Sequence, residues 1–134
     1  MLNIAQEKLK NKKNIYFKES DLLSLFDNFE DSKEFDTVIS TYAIHHLTQT
    51  EKHLLFKKVF DFLPKNGKII FGDLMFQNRN YENQMREKYP DLIKDFEDEL
   101  YWYVDEETKK LKEIGFSIEV KQFSDLSWGV YGVK

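Results

Sequence analysis

The 134-residue chain lacks cysteine altogether and is sparing with glycine and proline, of which it has five and two. Without cysteine, disulfides and thiolate metal sites are excluded, which fits a reducing compartment. The first glycine is Gly67, so the first half of the chain cannot contain a glycine-rich loop of the kind that lets a backbone approach a nucleotide.

Long apolar runs and an excess of positive charge are also absent. No run approaches the roughly 20 apolar residues needed to span a bilayer, and the polar stretch Met1–Asn14 has no apolar signal region. The net charge is −4, from 20 basic and 24 acidic residues. Such a balance lacks the broad positive field of a nucleic-acid-binding protein. We therefore predict a soluble, cytoplasmic chain with neither a membrane nor a nucleic-acid partner.

What is present is enough for a packed core, because 41% of the residues are hydrophobic and 16% are aromatic. The length indicates one domain over residues 1–134. Apolar spacing predicts helices that alternate with strands, as in an α/β sheet. The first half predicts a helix over Met1–Lys10 and strands over Ile15–Lys18, Phe35–Thr41 and Lys68–Asp73. It also predicts a second helix, which begins at a capping box at Thr48–Glu51 and ends before Pro64 and Gly67. Leu54, Leu55, Val59, Phe62 and Leu63 are predicted to form its apolar face.

The second half predicts a mobile loop, two helices and a hairpin. The loop covers Phe76–Glu82. The first helix starts at Pro90 and places Ile93, Phe96, Leu100 and Tyr103 on one face, and the second is capped by Asp105 and ended by Gly115. Alternation over Phe116–Gln122 predicts a half-buried strand, which pairs antiparallel with a last strand around Trp128–Tyr131.

Two segments carry a resemblance to a known family. Phe35–Leu47 combines a strand with paired histidines, and Leu63–Asp73 combines a Pro/Gly turn with the next strand. Their order resembles the second half of a class I S-adenosylmethionine-dependent methyltransferase. Met1–Leu9 is similar to that family's second helix, and the end of the chain is similar to small, largely uncharacterised bacterial members. The resemblance implies a truncated Rossmann-like sheet, mostly parallel with a C-terminal antiparallel hairpin and helices on both faces.

The departure from the family lies at the start. The family's cofactor site begins with a strand and a Gly-x-Gly-x-Gly loop, and neither this loop nor the acidic ribose-binding residue after the second strand has a counterpart in this chain. We expect a domain without its first strands, in which the Phe35 strand exposes an apolar edge. The two orphaned strands could pair directly, another copy could supply the edge, or the chain could be a fragment of a longer gene product.

The resemblance implies S-adenosylmethionine as the cofactor and four residues that contact it. Asp21 would accept a hydrogen bond from the adenine amino group, and Leu22 would give the ring an apolar contact. The plain alternative for Asp21 is an aspartate that starts a turn. Thr41 and Tyr42 follow the carboxyl end of a strand, where open α/β sheets bind ligands. The alternative for this pair is an ordinary strand-to-loop transition.

His45 and His46 are the predicted catalytic groups, because a neutral imidazole near the methyl donor can remove a proton from an attacking nucleophile. Adjacent histidines are expected to point in different directions, so that one lines the pocket and the other packs or binds backbone. Asp73 is predicted to position the substrate, or else to cap the following loop. Trp102 is predicted to border the substrate pocket. No metal site is predicted, because His45, His46 and His53 have no matched carboxylate pattern.

The predicted function is methyl transfer from S-adenosylmethionine to a small molecule, impaired by the missing glycine loop. The alternative is a non-catalytic remnant or interaction module of the same fold, which dimerises through the vacated sheet edge. An unrelated flavodoxin-like module would need a phosphate loop near the start, and Lys10–Asn14 has no glycine. The acidic run Asp95–Glu99 is predicted to be a solvated helix face.

Overall fold

A computed structural model describes residues 2–29, 35–94, 97 and 99–134, with the side chains of Asn28 and Ile93 left aside. Within these ranges five strands alternate with helices. The strands are β1 (Thr37–Thr41), β2 (Lys68–Phe76), β3 (Trp102–Tyr103), β4 (Ser117–Gln122) and β5 (Ser127–Val133). The α-helices are α1 (Leu2–Leu9), α2 (Gln49–Phe62), α3 (Arg79–Lys88), α4 (Pro90–Lys94) and α5 (Val104–Ile114), and short 3-10 helices cover Leu25–Asn28 and Ile44–His46.

The sheet is mixed, in the order β1-β2-β5-β4. Strands β1 and β2 are parallel and in register from Thr37 opposite Lys68 to Thr41 opposite Gly72. Strand β5 lies antiparallel between β2 and β4, and the two-residue β3 extends the far end of β2 in parallel. The predicted α/β class, with a parallel part and a C-terminal antiparallel hairpin, is confirmed.

Helix α2 begins and packs as its sequence predicts. The Thr48 hydroxyl accepts a hydrogen bond from the Glu51 N–H, and the Glu51 carboxylate accepts one from the Thr48 N–H at 2.8 Å, which completes the capping box. The buried face of the helix includes Leu55 and Val59 and joins the core of the sheet. Leu54, predicted to widen this face, is instead 47% exposed, because it lies to the side of the buried stripe.

One face of the sheet is packed and the other is half open. Alternate residues of the strands point to opposite faces, and the side chains of Ile69, Phe71 and Val130 are buried in the core. On the opposite face Ile39 is 65% exposed and Ile70 is 43% exposed. This face carries a groove of about 490 Å³ lined by Thr41, Ile70, Phe71, Gly72, Glu119, Val120, Lys121, Phe123, Gly129, Val130 and Tyr131.

Two predicted elements of the fold are wrong. Residues Ile15–Lys18 form no strand, since no strand among the described residues lies next to them to accept their backbone hydrogen bonds, and Tyr16 is 92% exposed. The two orphaned strands therefore do not pair. The helix that starts at Pro90 is α4, which ends at Lys94. Tyr103, predicted to lie on one face of this helix, belongs to β3. Phe96, placed on the same predicted face, lies outside the described residues.

The predicted loop over Phe76–Glu82 contains the start of α3. The Asn78 side chain caps this helix by accepting a hydrogen bond from the Tyr81 N–H at 3.0 Å. Asp105, predicted to be the N-cap of α5, lies instead within its first turn, where its negative charge interacts favourably with the helix dipole. The N-cap residue is Tyr103. Gly115 ends α5 at φ +128°, as predicted. No helix in the ranges described above is long and apolar enough to cross a membrane.

Candidate functional site

The parallel pair β1 and β2 brings His45 and Asp73 together. His45 lies in the 3-10 helix that follows β1, and Asp73 lies in β2 and is 2% exposed. One Asp73 oxygen accepts the N–H groups of Ile44 and His45, at 2.9 and 3.2 Å. The other accepts the N–H of Leu74 at 2.8 Å and is 2.5 Å from His45 Nδ1. With both oxygens so engaged, Asp73 holds His45 in place, and its role in positioning a substrate stays a prediction.

The hydrogen bonds to Asp73 fix which nitrogen of His45 carries the proton. Asp73 is a carboxylate and can only accept, so Nδ1 is the N–H donor. Nε2 then lies on the side of the ring away from Asp73. The His45 side chain is only 7% exposed, so Nε2 is in a confined space.

A second carboxylate faces both histidines. One oxygen of Glu99 lies 3.4 Å from His45 Nε2 and 3.1 Å from His46 Nδ1. The centroids of the two imidazole rings are 4.1 Å apart. The histidines therefore converge on one point, and the expectation that they point in different directions is wrong. Both rings turn toward the Glu99 carboxylate, although consecutive residues of the 3-10 turn at Ile44–His46 are about 120° apart.

Glu99 is held by backbone contacts next to it. The N–H of Leu100 donates to the carbonyl of His45 at 2.9 Å, and Lys52 Nζ donates to the carbonyl of Leu100 at 2.5 Å. Lys52 is 2% exposed. Burial lowers the pKa of its ammonium group, and the negative charges of Glu107 and Asp73 act in the opposite direction. A buried cation thus fixes the segment that carries Glu99.

Glu99 is the site residue that sequence reasoning missed. The acidic run Asp95–Glu99 was predicted to be solvated, but the Glu99 side chain is 22% exposed and packed against the histidines. Asp95, Phe96 and Asp98 lie outside the described residues. No local pattern marks Glu99, because its position depends on the contact between Leu100 and His45, which are distant in sequence.

His53 is separate from this cluster. Its Nε2 lies 2.9 Å from a Glu107 oxygen, and burial raises the pKa of Glu107, against the lowering effects of His53 and Lys52. Among the described residues, one group of three or more histidine, cysteine or acidic side chains has ligand atoms within 4.8 Å of one another. That group consists of His45, His46 and Glu99.

Thr41 and Tyr42, two of the predicted cofactor contacts, lie at the carboxyl end of β1, and Thr41 lines the groove of the open face. Tyr42 has a left-handed backbone, φ +50°, and its N–H donates to the carbonyl of Gly72 at 2.9 Å. Such a conformation is costly for a bulky residue and is concentrated at functional sites. The Tyr42 hydroxyl is 3.3 Å from Ser127 Oγ, and Thr41 lines the groove.

The remaining predicted site residues lie elsewhere. The Asp21 carboxylate accepts the N–H of Leu23 at 2.9 Å, which is the turn role named as its alternative. Leu22 packs against the hydrophobic core. Trp102 is fully buried, with its ring centroid 5.2 Å from that of Phe56. Its large apolar ring fills the core, so it does not border an open pocket as predicted.

The residues present fit S-adenosylmethionine on one side only. Thr41 and Tyr42 offer polar groups and exposed backbone at the carboxyl end of β1. The glycine-rich loop on the other side would need glycines before Gly67, and the sequence has none there.

Known proteins give the same assignment of the fold. A methyltransferase domain family model matches residues 1–67. An uncharacterised methyltransferase of Bacillus pumilus is 36% identical over 106 residues, which cover 75% of this chain and 50% of that protein. The chain spans about half the length of the first curated relatives it matches.

Two solved structures share the fold at low sequence identity. An O-methyltransferase family 2 protein from Planctomyces limnophilus, in complex with apigenin, superposes with a TM-score of 0.76 at 14% identity, over 99% of this chain and 39% of that one. Phosphoethanolamine N-methyltransferase 2 of Haemonchus contortus, in complex with S-adenosyl-L-methionine, gives 0.71 at 15% identity, over 100% and 41%. The resemblance in the order of strands and turns is therefore confirmed, and the chain belongs to the methyltransferase domain family.

Proposed function

We propose that this chain is one domain, without its first strands, of an S-adenosylmethionine-dependent methyltransferase that acts on a small molecule. The family membership supports the reaction class. The observation that carries the proposal is the convergence of His45 and His46 on Glu99, whose oxygen lies 3.4 and 3.1 Å from their ring nitrogens, after the carboxyl end of β1. Open α/β sheets bind their ligands at this end. A small acceptor suits the mildly acidic chain, whose net charge of −4 does not favour binding to nucleic acid.

In this proposal His46 is the general base. Its Nδ1–H donates to the Glu99 carboxylate at 3.1 Å, which leaves the Nε2 lone pair free to take a proton from the acceptor. The His46 side chain is 64% exposed and can reach a bound molecule. His45 is a positioning residue, because Asp73 and burial hold its ring beside Glu99.

The bound cofactor supplies an electrophilic methyl group. Thr41 and Tyr42 would contact it from the sheet, and Asp21 and Leu22 remain proposed contacts to its adenine end. Catalysis of such an in-line displacement depends mainly on positioning, with a base only where the nucleophile carries a proton. Because the 134 residues contain no glycine before Gly67, we expect weak cofactor binding and impaired activity.

The test is calorimetric titration of the 134-residue chain with S-adenosylhomocysteine, followed by transfer of radiolabelled methyl groups to a panel of small hydroxyl, thiol and amine compounds. We expect binding that Tyr42→Ala weakens, and transfer that His46→Ala reduces by about 10²-fold or more. His53→Gln changes a histidine outside the cluster and is the matched control. Folded protein that does not bind at millimolar ligand would refute the proposal for this chain.

The exposed edge of the sheet favours a second candidate, a non-catalytic module that forms a homodimer. Within the described ranges β1 pairs only with β2, so its other edge has free backbone groups that a second copy can use. Ile39 beside this edge is 65% exposed. Light scattering would give twice the chain mass for such a dimer, and Ile39→Lys should return it to a monomer. A monomeric wild type would exclude this candidate.

A further inference from the structure

The cluster of His45, His46 and Glu99 brings three potential metal-ligand atoms close together. His45 Nδ1 lies 2.5 Å from an Asp73 oxygen, and Nε2 of the same ring lies 3.4 Å from a Glu99 oxygen. The same Glu99 oxygen lies 3.1 Å from His46 Nδ1. One cation could contact all three residues, because their ligand atoms lie within 4.8 Å of one another.

We propose that His45, His46 and Glu99 bind one divalent transition-metal ion, through His45 Nε2, His46 Nδ1 and a Glu99 carboxylate oxygen. Two imidazoles and a carboxylate suit zinc and its neighbours, and three protein ligands leave a coordination position open. The site differs from one made of the chain's three histidines, because Glu99 takes the place of His53.

The spacing of the three atoms agrees with this assignment. Zinc lies about 2.0–2.2 Å from nitrogen and carboxylate ligands. Two ligands at that distance are about 2.9 Å apart at a right angle and about 3.4 Å apart at a tetrahedral angle. The two separations from the Glu99 oxygen, 3.1 and 3.4 Å, fall in this interval, and the ligand atoms of all three residues lie within 4.8 Å of one another.

The surroundings of the cluster support a built site. The Asp73 carboxylate, 2% exposed, binds His45 Nδ1 at 2.5 Å, which is the carboxylate–histidine arrangement that orients metal ligands. The backbone next to Glu99 is fixed by the hydrogen bond from the Leu100 N–H to the His45 carbonyl. Both the buried ligand and the carboxylate are thus positioned before an ion arrives, so little ordering is lost on binding.

Metal binding and the proposed base role use His46 differently. As a ligand, Nδ1 must give up its proton, and the neutral ring then carries the proton on Nε2. The occupied site therefore lacks the free Nε2 lone pair that removes a proton from the acceptor. Binding can be measured without any assay of methyl transfer, so failure of one proposal is distinguishable from failure of the other.

The experiment is titration of the chelator-treated 134-residue chain with Zn²⁺ by calorimetry, and with Co²⁺ by visible absorption. We expect one ion per chain, and a Co²⁺ absorption spectrum of the kind that nitrogen and oxygen ligands produce. Glu99→Gln and His46→Ala should each weaken binding by about tenfold or more, since even outer-sphere changes cost 10- to 100-fold. Circular dichroism should confirm that both variants are folded, and His46 is sufficiently exposed that its truncation leaves the core unchanged.

His53→Gln is the matched control and should bind as the wild type does. No binding by the folded wild type would overturn the proposal. Equal binding by the wild type, Glu99→Gln and His46→Ala would also overturn it, because the ion would then bind elsewhere. Loss of binding in His53→Gln alone would place the ion at His53 and Glu107 and would equally refute the assignment.

Discussion

Asp73→Asn should destabilise this protein more than any ordinary surface substitution. Four N–H groups converge on the two Asp73 oxygens, from Ile44, His45 and Leu74 of the backbone and from the His45 ring. Asparagine has one oxygen and one NH₂ group, so in either orientation two buried donors face another donor. Each unsatisfied buried donor costs about 1–3 kcal/mol, which gives a loss of roughly 2–6 kcal/mol in the free energy of unfolding.

Urea unfolding at pH 7, followed by far-UV circular dichroism, measures this loss. The matched control is Asp61→Asn on α2, where the carboxylate is exposed and pairs with Lys57 one turn away at 2.9 Å. An exposed pair of this kind contributes about 0.3–0.5 kcal/mol. If Asp73→Asn lost less than about 1 kcal/mol, or no more than the control, the four bonds would not have the strength assigned to them.

Three further predictions concern the helices. Gly115→Ala should lower the free energy of unfolding by about 1–3 kcal/mol, because φ is +128° and a Cβ would lie 2.8 Å from Phe60 Cζ; a thermal melt unchanged from the wild type would contradict this. Thr48→Ala removes the cap of α2 and should cost about 1 kcal/mol in urea unfolding, whereas Thr48→Ser should restore most of it. Burial raises the pKa of Glu107 above its unfolded value, so the native state binds the extra proton and stability should fall as pH rises from about 4.5 through that raised pKa. Urea midpoints across this range should show the slope in the wild type and lose it in Glu107→Gln, because the proton-binding carboxyl group is then absent.

Much of the fold followed from local signals. The capping box at Thr48–Glu51, the turn at Pro64–Gly67 and the alternation over Phe116–Gln122 each depend on residues close in sequence, and each element formed, although β4 is more exposed than the half-buried strand predicted there. The strand predicted at Ile15–Lys18 failed because a strand exists only through a partner, and the partner was absent. Helix α3 was missed because Met85 is its single buried side chain among those described, so it carries almost no apolar periodicity.

The candidate site was predictable only in part. His45 and His46 were identified from their place after a buried strand, which is a property of the local sequence. That Asp73 binds His45, and that Glu99 faces both histidines, depends on the parallel pairing of β1 and β2 and on the contact between Leu100 and His45. Contacts between residues this far apart in sequence produce no periodic pattern in the sequence. The position of Glu99 within an acidic run favoured the prediction that its side chain is exposed to solvent.

The position of β5 has a consequence for the order in which the protein can assemble. Residues 127–133 form the strand that joins β2 to β4. During synthesis β1 and β2 leave the ribosome first and can pair, but β4 has no partner in the sheet until the strand after it is complete. The sheet can therefore close only when translation has passed Val133, and until then β2 keeps one edge open to other nascent chains. Removal of residues 127–133 would leave β4 without a partner in the sheet and one edge of β2 unpaired.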